Sequence, residues 1–282
     1  MPTVREPVVV PPAPTFADPA EADPSAGTGT AAESLLPTAE ALAALSPAEL
    51  VAWAGQPVRV ALPAAGTWRS LSVGLQLSAD PAGGARLEGL EADLLVETPE
   101  GVDALVAQQV AAPPPGTSVL DVVEADDDGR RTVSVLLRTA GASADSVDVV
   151  ARPEGGSLLH VQHLPRRDDG GPDLTEERVL GLVERLTAGS APPDWPTRFA
   201  RLTLVQGAAP VVMVAWSAPG LDVAAATAAA RAAFPHLVLE PEVPGPHRTT
   251  ADFTSPSLGA GGLLSVSTES DGTTRVELEA RG

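Results

Sequence analysis

Imidazole is the side chain that carries protons and metals near neutral pH, so the chain's four histidines are the first candidates for chemistry. Two of them, His160 and His163, stand close together in SLLHVQHLPRRDD, followed at once by Arg166, Arg167, Asp168 and Asp169. A site on this cluster would be a metal centre or a general base oriented by a carboxylate. The surrounding run reads as a strand over 157–164, and side chains alternate across a strand. Histidines three residues apart therefore point to opposite faces and cannot share one ion without a bulge. His160 is expected on the face of Leu158 and Gln162. His163 is expected with Leu159 and Val161 at the rim of the core, with Pro165 ending the strand. The other two, His236 and His247, flank LVLEPEV, with Glu240 and Glu242 between them and no nucleophile nearby.

Three further stretches resemble sites without completing one. EADDDGR places Glu124, Asp126, Asp128 and Gly129 at alternate positions, like the start of a calcium loop. An EF-hand needs a glutamate at its twelfth position, where this chain has Val135, so the segment reads as an acidic hairpin turn. LGAGGLL, residues 258–264, lacks the dinucleotide fingerprint and precedes a strand, so it reads as a flexible loop. No G-x-S-x-G elbow gives any serine the setting of a nucleophile.

The missing residue types exclude more. The 282 residues contain no Lys, Asn, Ile, Tyr or Cys, and all 18 cations are arginines. This bias against AT-rich codons indicates a very GC-rich bacterial genome. Without lysine there is no Walker A loop, Schiff base or pyridoxal anchor. Without cysteine there is no thiol catalysis, disulfide or zinc-thiolate site. A net charge of −19 with no basic stripe disfavours nucleic acid and anionic membranes. No run approaches a membrane span and the N-terminus lacks a signal-peptide pattern, so the expected location is cytoplasmic.

The elements that would position any site follow from periodicity. Residues 1–33 are rich in Pro, Ala and acids and are read as a disordered arm. Residues 34–66 hold short helices, one from Thr38 and one in SPAELVAWAG, with Ser46 and Glu49 as a capping box. Period-two runs then place Leu71, Val73, Leu75 and Leu77, and again Leu90, Ala92, Leu94 and Val96, on one face. Val102, Leu105, Val106 and Val110 mark a helix. Strands follow at 117–124, 131–139, 146–151 and 157–164, then a helix at 174–187 with Asp173 and Glu176 as its capping box. After a Pro-rich joint the order recurs: two strands, a helix capped by Asp222, and runs at 236–242, 248–254, 262–269 and 273–280. Asp271–Gly272 gives the best hairpin turn.

The expected fold class is α+β, with two similar units, 67–190 and 191–282, each of pattern β-β-α-β-β-β-β. Each unit should be an antiparallel sheet with a packed helix. Many unrelated small domains share that element order, and no motif assigns a family. VVMVAW, residues 211–216, is apolar on both faces, and strands of that kind need cover on both sides. The cover is either intramolecular packing or, through Val212, Val214 and Trp216, a protein partner or second copy. With no catalytic, cofactor or metal set, the expectation is a non-catalytic protein-interaction module: an accessory, chaperone-like or assembly component. A binder of a small apolar ligand between helix and sheet is the alternative, and an enzyme stands last.

Overall fold

The computed structural model describes residues 34–79, 85–127, 129–139, 144–164, 174–190, 194–245 and 247–282. The expected disordered arm over 1–33 and the Asp173 cap lie outside them. Two short helices come first. Thr38 caps α1 (Ala39–Ala43) through Ala41 N, and α2 (Pro47–Trp53) begins at the expected capping box. Ser46 Oγ accepts from Glu49 N at 3.3 Å, while the Glu49 carboxylate accepts from Ser46 N at 2.8 Å. Both orphan donors of the first turn are thereby satisfied.

Two long strands follow, β1 (Thr67–Ala79) and β2 (Ala85–Thr98), whose eight expected inward residues are all buried. The next helix, α3 (Val102–Ala111), buries Val102 and Leu105 as its stripe requires, but Gln109 is buried in place of Val110. The helix meets an irregular segment there, and Gln109 bonds both backbone polar groups of one residue: Oε1 accepts from Ala61 N and Nε2 donates to Ala61 O. A buried amide paired in this way is tolerated.

Four strands complete the first half: β3 (Thr117–Asp127), β4 (Arg130–Thr139), β5 (Ala144–Ala151) and β6 (Ser157–Leu164). Helix α4 (Leu174–Thr187) links it to β7 (Thr197–Val205), β8 (Val211–Ser217) and α5 (Val223–Ala233), the last capped by Asp222 through Ala225 N. Instead of one strand at 236–242, two short bridges form, β9 (Val238–Leu239) and β10 (Val243–Pro244). Prolines at 241 and 244 withhold the donors that a longer ladder needs. Then come β11 (Arg248–Ser255), β12 (Ala260–Thr268) and β13 (Thr274–Arg281).

Every pairing of strands among the described residues is antiparallel, and the sheets expected for two separate units are one continuous sheet. Its order is β10-β11-β12-β13-β8-β7-β1-β2-β6-β5-β4-β3, with β9 also on β11. The seam is β1 against β7, in register from Ser70↔Val205 to Gln76↔Phe199. Helix α3 lies over β4 and β5, α4 over β7, β8 and β1, and α5 over β11, β12 and β13. The strand side chains beneath these helices form one core cluster running the length of the sheet.

The reading of 258–264 as a flexible loop is corrected: β12 begins at Ala260. Its glycines allow close approach. A Cβ at Gly262 would stand 1.8 Å from the Glu279 carbonyl oxygen and 2.8 Å from the Phe253 ring. No helix among the described residues is long and apolar enough to cross a membrane.

Candidate functional site

Strand β6 lies between β2 and β5, and this decides what its histidines meet. Opposite faces receive them, as alternation requires. His160 stands on the face turned away from the helices. Its Nε2 is 2.8 Å from Asp93 Oδ2 on β2, and its Nδ1 is 3.9 Å from Asp148 Oδ2 on β5. His163 stands at the rim of the core, with Nδ1 2.9 Å from Oδ1 of Asp145, a carboxylate with 0% exposure. Two aspartate–histidine pairs thus sit back to back through the sheet. Asp93 lies 67 residues away in sequence, on a strand whose pairing no local spacing reveals, while Asp145 and Asp148 come from β5, the neighbouring strand of the same hairpin. Such a pair can orient an imidazole as a base, and the side-chain groups bonded to both rings are carboxylates, with no hydroxyl among them. Among the described residues no three His, Cys, Asp or Glu side chains converge as a metal-binding group.

The remaining candidates are each tied into the fold. His236 Nε2 bonds the carbonyl of Leu186, in the last turn of α4, where helix carbonyls lack intrahelical partners. His247 is exposed. In the acidic hairpin, Asp126 accepts from Gly129 N at 3.0 Å and Gly129 has φ +77°, which makes the segment a turn. Val135, at the twelfth position of the supposed calcium loop, is buried in the core.

Val212, Val214 and Trp216 are 0%, 0% and 1% exposed on a strand beneath α4, and Trp216 packs on Phe234, the C-cap of α5, with ring centroids 5.6 Å apart. The expectation that these three offer a partner surface is therefore corrected: they are core, because α4 and the Phe234 ring that ends α5 cover the face they stand on. The same rings fill the layer between α5 and the sheet. A groove of about 660 Å³ opens at the N-terminal end of α5, lined by Arg198, Ser217, Asp222 and Asp271 among others. Its polar groups are committed to structure: Arg198 Nε donates to Ser217 Oγ, and Asp222 caps α5. Asp271 accepts from Thr273 N, and the backbone and hydroxyl of Thr273 hold its carboxyl below the usual range.

Two features are left without internal cover among the described residues. One is the face of the sheet opposite the helices. Across its centre run Gln162, Asp93, Ser72, Thr203, Met213 and Glu279, all half-buried, on six different strands. Beside them Gly74 lies opposite Arg201, whose guanidinium stacks 4.8 Å from the centroid of Phe199. The other is the outer edge of β3, which pairs with β4 alone. Both emerge only when the strand order is known.

Fold and surfaces together define an α+β protein whose antiparallel sheet carries helices on one side and presents the other. No protein-family model matches the chain, and no curated protein matches it.

Proposed function

We propose that this chain is a non-catalytic protein-interaction module, an accessory or assembly component that receives a protein partner on its open sheet face. The observation that carries the reading is the one-sided cover of the sheet. Helices α3, α4 and α5 all pack on one side, while small polar, charged and apolar side chains alternate over the other. A broad, firmly backed surface of mixed polarity is what a protein interface outside its core looks like. Such a surface lacks the enclosed, largely apolar concavity that a small ligand fills.

The chain's two halves have the same path, and we propose that they descend from one duplicated unit. From the seam the order runs β1-β2-β6-β5-β4-β3 one way and β7-β8-β13-β12-β11-β10 the other. Each half begins with two strands, crosses by a helix, and returns antiparallel from the outer edge inward.

The test is retention of a protein from an extract of the source cells by the immobilised chain and by a Ser72→Arg/Met213→Arg variant of equal melting temperature. A stoichiometric partner held by the wild type and lost by the variant is the expected result. Retention of nothing, or equal retention by both, would count against the open face.

A further inference from the structure

We infer that the free edge of β3 is a docking site for an extended, cationic segment of a partner protein, which adds to the sheet as another strand. This rests on the reading of the chain as an interaction module and names a second contact within it. The two ends of the sheet differ sharply. One end is closed by β9 and β10, bridges of two residues each, set among prolines at 241 and 244. Short, proline-bearing edges are how sheets avoid pairing with other chains. The other end is β3, eleven residues long and without proline.

The middle of β3 carries apolar side chains on both of its faces, among acids. Val122 lies opposite buried Val135, on the helix side, and Val123 lies opposite Ser134, on the other. Yet Val122 is 43% and Val123 54% exposed, and Leu120, at the bulge between Val119 and Asp121, is 42% exposed. A long edge strand with a valine exposed on each face, and paired on one side only among the described residues, matches the mode in which a peptide adds to a sheet edge.

Charge selects the occupant. Asp121, Glu124 and Asp126 are all exposed on this edge, and the nearby Arg131 is already held by Glu124 at 2.6 Å and Asp103 at 2.7 Å. A second copy paired antiparallel here would set these acids against themselves, on a chain of net charge −19. A segment alternating apolar and arginine or lysine residues can lay its apolar side against Val122 on the helix side and its cations against Asp121 on the other. Asp121 accepts from Val122 N at 2.9 Å, so an incoming strand must displace that carboxylate to reach this amide, and a cation on the partner rewards the displacement.

The test uses three labelled nine-residue peptides: alternating valine and arginine, alternating valine and glutamate, and the valine–arginine peptide N-methylated on alternate amides. Binding to the full chain is followed by anisotropy, and amide shifts by NMR. The expected result is that only the first binds, that shifts concentrate at 117–127, and that Asp121→Lys/Val123→Lys weakens binding tenfold or more with the melting temperature unchanged. Equal binding of the N-methylated peptide would reduce the effect to charge alone and overturn the proposal. So would undiminished binding by the edge variant, no binding by any peptide, or a wild-type dimer that the edge variant abolishes. None of these outcomes bears on a partner held by the open face, which the Ser72→Arg/Met213→Arg comparison reports separately.

Discussion

His160 and His163 differ in what they hold, and their substitution should separate them. Asp93 and His160 are both partly open to solvent, so water can replace that bond, and exposed pairs contribute little. His160→Ala should therefore change stability by less than about 1 kcal/mol. His163 serves a carboxylate with no exposure, and His163→Ala leaves a buried acceptor short of one bond, at a cost of about 1–3 kcal/mol. Urea unfolding of the two variants measures this directly, and a larger loss at His160 would contradict the assignment of faces. Gly262 is the other residue whose identity the packing dictates. Gly262→Ala must push β12 away from the Glu279 carbonyl or the Phe253 ring, and should cost about 3 kcal/mol.

At the level of elements, the capping box of α2 carries a pH dependence. The backbone N–H of Ser46, and then its hydroxyl, hold the Glu49 carboxyl below the usual range. A carboxyl lowered on folding adds stability that is complete above its unfolded pKa and is lost as pH falls through the folded value. The thermal advantage of the wild type over Glu49→Gln should thus shrink between about pH 7 and about pH 3. A constant difference across that range would show that the cap's charge is immaterial. A second element-scale contact fixes α4: Thr175 Oγ1 donates to Gly55 O, and Gly55, at φ +89°, has Thr175 N 2.4 Å from where a Cβ would stand. The short N-terminal helices and α4 are locked together at that glycine.

For the whole molecule, the β1–β7 seam has a thermodynamic consequence. Leu71, Val73 and Leu75 face Leu204, Leu202 and Ala200 across it, all fully buried in one core cluster. Neither half can open without exposing the other's apolar face. Calorimetry should show one transition with equal calorimetric and van't Hoff enthalpies. Two transitions would mean that the seam is weak and the halves fold alone.

Much of the local structure was legible from the residues. Alternation placed eight buried side chains on β1 and β2, Ser46 and Glu49 announced their cap, and three-residue spacing alone set His160 and His163 on opposite faces. These are consequences of period and local hydrogen bonding, which depend on neighbours in the chain. The sequence also showed VVMVAW apolar on both faces, and the structure covers one of them, leaving Val211 and Met213 half-buried on the other. What the sequence could not say was what does the covering, because Val212, Val214 and Trp216 meet α4 and Phe234 only through the tertiary fold. Gln109 escaped the reading of α3 because its partner, the Ala61 backbone, stands 48 residues away. Asp93 likewise became a histidine partner through strand order. Both uncovered surfaces, the open face and the β3 edge, have the same origin. Non-local pairing decides which strand ends a sheet and which face the helices leave bare, and side-chain periodicity within one strand carries no record of either.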